Sequence, residues 1–251
     1  MTETSVYAAR KRQTSRKPTK PGKPRKSRKQ RKDKGLIRLT DRDLLVLKWI
    51  GEQYAARLDI LQLLLGRDAE QPTKIPGVVT ESTARRVVSR WKAEGLVESR
   101  RFFFGKPEWV WLTPTGLSQM DLAYRSWSPK VSTLNHFHSV NQVRLRIEKG
   151  YEESFVWRSE RTLRRLYRDN KGIHVPDAEL LHEAGVIGIE VELTQKSQQR
   201  IRDIVDKLAH QYEQVWYFVN QTTEQAVRAE VAHFDEGKFH LYDIERIRSN
   251  E

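Results

Sequence analysis

The chain has 251 residues, with 46 Lys+Arg against 33 Asp+Glu and no cysteine. That length allows one large domain or two small ones. The absence of cysteine excludes a disulfide framework, a thiol nucleophile and a cysteine-based metal site. No apolar run approaches the roughly 20 residues of a membrane span.

The net charge of +13 is concentrated at one end. Residues 1–34 hold 14 Lys+Arg against 2 Asp+Glu, whereas the other 217 residues hold 32 against 31. Val6 and Tyr7 are almost the only large apolar side chains in that segment. It cannot bury enough apolar area to offset its ordering entropy, so residues 1–34 are expected to be a disordered basic arm. No apolar segment follows the basic residues, so a secretory signal is not expected. Such an arm attracts polyanions through counterion release, which is salt-dependent and indifferent to sequence. Specificity is left to the nearly neutral body.

Order is expected from Leu39. Thr40 is a candidate N-cap, with Asp41 and Asp43 in the first turn of a helix reaching Gly51. A second helix is predicted over Leu58–Leu65, stopped by Gly66. A polar loop leads to a third helix, opening at Thr80 or Ser82 and running to Glu94. Its apolar stripe is Ala84, Val87, Val88 and Trp91, and its other face shows Arg85, Arg86, Ser89, Arg90 and Lys92. The period then changes to that of strands over 96–102 and 109–112, joined by a turn at Phe104-Gly105-Lys106-Pro107. Three helices followed by a hairpin is the order of a winged helix-turn-helix, here residues 35–128. In that arrangement the third helix enters the major groove and the wing lies against the backbone or minor groove. The expected DNA contacts are Arg85, Arg86, Ser89, Arg90 and Lys92, with Arg101 and Lys106 on the wing. A solvated helix face is the plain alternative.

Thr113-Pro114 opens a helix expected to reach about Ser126, and Ser128-Pro129 marks a domain boundary. The second domain, 129–251, begins with a helix over Leu134–Glu148 that carries His136 and His138. A short strand at 155–157 and a basic helix at 162–167 follow. A helix over Ser197–Gln211, a buried strand at 215–219, a helix over Thr222–His233 and a strand at 239–242 complete a small mixed-sheet α/β pattern.

Within that domain, residues 172–197 carry the chemistry. Val175, Asp177 and Glu179 alternate with Pro176, Ala178 and Leu180; Ile189, Val191 and Leu193 alternate with Glu190, Glu192 and Thr194. A strand repeats its facing every two residues, so Glu190 and Glu192 share a row. A hairpin through Glu183-Ala184-Gly185 sets Asp177 beside it. Carboxylates gathered on one face are costly unless solvated, paired or bound to a cation.

Pro176-Asp177 followed by Glu190-Val191-Glu192 resembles the PD-(D/E)xK nuclease core. That resemblance implies Mg²⁺ (or Mn²⁺) on Asp177 and Glu190, polarising a phosphodiester. Glu192 stands where the family pattern has lysine; Lys196 is the nearby replacement, and Glu160 a supporting carboxylate. Leu39-Thr40-Asp41-Arg42-Asp43, Trp157-Arg158-Ser159-Glu160-Arg161, Pro176-Asp177 and Glu190-Val191-Glu192-Leu193-Thr194 with Lys196-Ser197 together resemble the replication–relaxation proteins of bacterial mobile elements, over about residues 38–220. The resemblance implies DNA as partner, in replication, mobilisation or processing, with a metal-dependent endonuclease or nickase as one outcome. The other is a non-catalytic accessory or transcriptional regulator whose second domain serves dimerisation or docks a relaxase or replication initiator. In that case Arg161, Arg164 and Arg165 would neutralise the acidic row. Either implies a cytoplasmic, nucleoid-associated protein, without a membrane partner.

Overall fold

A computed structural model describes residues 39–67, 77–150, 155–170, 172–183 and 185–249. The basic arm lies outside the described residues, as does most of the loop after Arg67. The fold is mixed α+β with two sheets.

Helix α1 (Asp41–Glu52) opens on a reciprocal cap. Asp43 N–H donates to the Thr40 hydroxyl at 3.2 Å, and Thr40 N–H donates to the Asp43 carboxylate at 2.9 Å. Helix α2 (Leu58–Leu65) ends at Gly66, and α3 (Glu81–Ala93) is capped by Thr80. Leu47 and Ile50 of α1, Leu61 and Leu64 of α2, and Ala84, Val88 and Trp91 of α3 form one core. The buried Asp43 carboxylate fastens α1 to α3, accepting from the Trp91 indole N–H at 3.1 Å and pairing with Arg90. Burial alone would raise this carboxyl, but Thr40, Arg90 and Trp91 hold it below the usual range.

Strands β2 (Val97–Arg100) and β3 (Trp109–Leu112) form the expected hairpin. A two-residue strand β1 (Ala56–Arg57) pairs with the far side of β3, giving the order β1-β3-β2. Two residues carry no detectable period, which is why sequence reading passes over it. Helix α4 (Pro114–Gln119) is shorter than expected. Asp121 turns left-handed (φ +55°). Leu122 N–H then donates to Leu117 O at 2.9 Å, and Asp121 N–H to Ser118 O at 3.1 Å, which closes a Schellman stop.

The second sheet follows α5 (Val131–Gly150). Its strands are β4 (Val156–Ser159), β5 (Ala178–His182), β6 (Gly185–Glu192), β7 (Gln214–Val219) and β8 (Phe239–Asp243), in the order β4-β5-β6-β7-β8. The pairs β4–β5 and β5–β6 are antiparallel; β6–β7 and β7–β8 are parallel. The parallel crossovers use α7 (Gln198–Gln211) and α8 (Glu224–Val231). Helix α6 (Glu160–Leu166) follows β4, and α9 (Ile244–Ser249), which periodicity did not predict, closes the described chain. One sheet face packs Ile187, Ile189 and Val191 against Val140, Val143 and Ile147 of α5 and Ile244 of α9. The other packs Tyr217 and Val219 against Ile201, Val205 and Leu208 of α7 and Val227 of α8. Gly188 belongs to this face; a Cβ there would lie 2.8 Å from the Tyr212 ring, so only glycine fits.

Polar contacts join the helical region to the sheet region. Glu148 of α5 accepts from the Trp49 indole at 3.2 Å and from Arg144 at 2.7 Å, and pairs with Arg67. Arg144 also reaches Glu52 at 2.8 Å and lies over the Trp49 ring. Asn141 donates to Ala55 O at 2.9 Å. Arg161 donates to Gly51 O at 2.7 Å and stacks on Tyr54 and Tyr124.

Candidate functional site

The carboxylates of 172–197 converge where β5 begins and β6 ends. The antiparallel register Ala178↔Ile189 sets Asp177 one step along, beside Glu190. Each of the three oxygens of Asp177 has a partner. One carboxylate oxygen accepts from Val191 N–H at 2.8 Å and the other bonds His136 Nε2 at 2.7 Å; its carbonyl accepts from Glu160 N–H at 2.9 Å. Asp177 thereby ties β6, α5 and α6 together.

Glu190 and Glu192 share the α7 side of β6, as the period of two requires. Glu190 bonds His174 Nε2 at 3.2 Å. Glu192 pairs with Lys196 and accepts from Thr194 N–H at 3.2 Å. Lys196 does turn back toward the strand, and its charge is also felt at Glu190. Thr194 lies beyond the end of β6 and adds no third step to the row. Glu160 is held by Arg164 at 2.6 Å.

The cluster is layered. The side chains of Glu190 and Glu192 are 8% and 3% exposed, whereas those of His136, His174 and Lys196 are 35%, 22% and 26% exposed. Buried carboxylates thus lie beneath a rim of nitrogen bases. Burial, then the charge of Asp177, raises the Glu190 carboxyl, against the pull of His174 and Lys196. Burial and Asp177 raise Glu160 in the same way. For His136 burial acts downward, but Asp177, with Glu190 and Glu160 behind it, overcomes this and lifts the imidazole to about 9. His136 is therefore an imidazolium at neutral pH.

Two carboxylates on the same sheet differ in a telling way. Glu179 accepts from Tyr212 at 2.8 Å and Tyr167 at 2.7 Å, with Arg158 at 3.4 Å, so it is a satisfied structural group. Glu190 has one imidazole partner, and it lies opposite Tyr217 in the parallel register. The Tyr217 hydroxyl is buried without a hydrogen-bond partner among the described residues. Burial first, then Glu190, Glu192 and Asp177, drive the phenol well above its ordinary value. Sequence reading singled out neither His174 nor Tyr217. His174 stood within the chosen stretch, three residues before Asp177. Tyr217 sits in the apolar run Val-Trp-Tyr-Phe-Val, where only strand register reveals its neighbour.

Of the arginines expected to neutralise the row, Arg161 goes to backbone carbonyls of α1 and of Arg125, whereas Arg164 pairs with Glu160 beside Asp177. Among the described residues, no three His, Asp or Glu side chains stand as a ready metal cage. The hard oxygens of Asp177 and Glu190 suit Mg²⁺. The charge of Asp177 adds to burial in raising Glu190, and a bound dication would offset both. Here His136 and His174 hold those oxygens.

The candidate DNA-contacting residues divide into two groups. Arg90 is engaged with buried Asp43, and Arg85 with Glu81 at 2.6 Å and Glu108 at 2.8 Å. Arg86, Ser89 and Lys92 are exposed on α3; Lys92 also donates to Ser99 Oγ at 3.2 Å. Arg101 and Lys106 are exposed on the hairpin. His138, buried in α5, packs edge-on with Trp109, their ring centroids 6.1 Å apart. No helix among the described residues is long and apolar enough to cross a membrane. No protein-family model matches the sequence, and neither a curated protein nor a solved structure is significantly similar to it.

Proposed function

We propose that this chain is a DNA-binding protein of a mobile genetic element, acting in replication, mobilisation or processing of that element's DNA. In this reading residues 41–112 act as a winged helix-turn-helix, with α3 in the major groove and the β2–β3 hairpin as wing. The observation that carries it is the outward face of α3. Arg86, Ser89 and Lys92 are exposed on one helix, while the charged residues beside them are tied into the protein. The motif resemblance set out above adds the mobile-element context. The test is selection of preferred duplexes from a random pool with the full chain and with Arg86→Ala. A changed preference in the variant supports base reading by α3; an identical preference returns Arg86 to a solvated face.

A second layer of the proposal is phosphodiester cleavage at the PD-(D/E)xK-like cluster. The convergence of Asp177 and Glu190, with Lys196 turned back onto Glu192 at the rim of the cluster, favours this over a purely structural role. Asp177 and Glu190 would hold Mg²⁺ or Mn²⁺, which supplies a polarised phosphate and an acidified water. The chain's own residues do the rest. His136 and Lys196, at the exposed rim, would meet the phosphate. Glu192 keeps Lys196 in place, and Glu160 adds negative charge beside Asp177. Incubating supercoiled plasmid with Mg²⁺ or Mn²⁺ tests this: relaxation or linearisation lost in Asp177→Ala and Glu190→Ala supports it. Cleavage surviving both substitutions rejects the site. DNA bound but never cut favours the accessory reading, in which the sheet domain docks a relaxase or replication initiator or a second copy of the chain.

A further inference from the structure

A groove of about 700 Å³ runs between the β2–β3 hairpin, α5 and the segments that leave β6 and β7. Its volume falls in the range of sites for small ligands or a few nucleotides, not of a surface track for a duplex. Phe103 and Phe104 stand on one wall, and Phe104 at the hairpin turn is fully exposed, at 105%. Lys106 supplies an exposed cation beside them; Arg57, also lining the groove, is engaged by Asp59 at 2.8 Å. Asn135 on α5, Thr194 after β6 and Asn220 after β7 also line it, together with Trp109, His138, Gln142 and Leu193. Among the described residues that line the groove none is Asp or Glu; Asp59 stands behind Arg57.

Aromatic faces with a cation and without carboxylates are what unpaired bases need. Bases stack on the rings while the cation meets the backbone, at about 1–3 kcal/mol per stacked base. In a duplex those base faces are already occupied. The position agrees with the composition. Thr194 and Asn220 lie at the carboxyl ends of two parallel strands, where open α/β sheets place their ligands. Thr194 also lies between Glu192 and Lys196, so a strand in the groove passes the rim of the carboxylate cluster.

We infer that this groove holds a few unpaired nucleotides of single-stranded DNA, stacked on Phe103 and Phe104, beside a duplex contacted by α3. The preferred ligand is then a duplex with an unpaired tail. This rests on the DNA-binding reading above.

The full chain is titrated with three labelled DNAs that share one duplex: blunt, with a single-stranded tail, and with a tail of abasic sugar-phosphate. The abasic tail keeps the added phosphates, and so the pull of the basic arm, but removes the bases. The expected result is that the tailed DNA binds about tenfold more tightly than either of the others. Phe104→Ala should abolish that preference, so that base-bearing and abasic tails bind alike, Phe104→Trp should keep it, and Asn135→Ala should weaken it. Phe104 and Asn135 are exposed, so neither change threatens folding. Equal binding of base-bearing and abasic tails overturns the inference, and so does full preference in Phe104→Ala. Binding of none of the three DNAs overturns the DNA-binding reading instead, and the groove assignment with it.

Discussion

The helical region 41–112 and the five-stranded sheet treat charge in opposite ways. On α3, Arg86, Ser89 and Lys92 are exposed, Lys92 reaching Ser99 Oγ, while Arg85 and Arg90 pair with carboxylates of the protein. On the sheet, Glu179, Glu190 and Glu192 are buried, and each meets a donor from its own chain. An exposed charge acts at a distance and is screened by salt. A buried charge must be neutralised nearby or change its protonation. The first region therefore suits a polyanionic partner. The second suits local chemistry, or stability alone where satisfaction is complete, as at Glu179.

The contrast is most severely strained at the join. Glu148→Ala leaves Arg144 and Arg67 without their buried carboxylate, and a loss of about 3–5 kcal/mol is expected in thermal or denaturant unfolding. Burial alone would raise this carboxyl, but Arg144 and Arg67 hold it below the usual range. Its contribution is thus present above the unfolded carboxyl value and fades as pH falls through the lower folded one. The wild-type and Glu148→Gln melting curves should converge in acid. If they stay equally separated there, the ion pairs are not the source of the stability.

Arg90→Ala comes next, at about 1–3 kcal/mol, because buried Asp43 loses its cation. Arg86→Ala, on the same helix, should change stability by less than about 0.5 kcal/mol. Equal losses in the two variants would erase the distinction between internal and outward arginines.

A smaller effect belongs to His136. Its folded value, raised to about 9, makes its contribution complete below the unfolded imidazole range and lost as pH rises through about 9. The stability gap between wild type and His136→Gln should be widest in mild acid and close in alkali. An NMR titration of the imidazole should fall back toward the ordinary range in Asp177→Asn, and an unmoved titration would remove Asp177 as its cause. Arg228→Ala, at an exposed pair with Glu224, should cost no more than about 0.5 kcal/mol.

Local chemistry made much of this legible in advance. Thr40 and Thr80 announced their helices as caps, Gly66 and Gly95 marked ends, and the period of two put Glu190 and Glu192 in one row. Asp121 hid the early stop of α4, because a left-handed aspartate leaves no distinctive mark in sequence. The partners of the row were harder still. Tyr217 meets Glu190 only through the register of two parallel strands, and His136 meets Asp177 only because α5 packs across the sheet. Likewise the outward face of α3 read as five equivalent polar residues until Asp43 and Glu108 claimed two of them.

The exposed face of α3 is tested most directly by duplex affinity of the full chain measured across a salt series, for wild type and Arg86→Ala. A contact between Arg86 and DNA predicts weaker binding by about 1–3 kcal/mol if it reaches a base, or a salt slope smaller by about one if it reaches a phosphate. Affinity and slope both unchanged would contradict the assignment of α3 as the DNA-contacting helix.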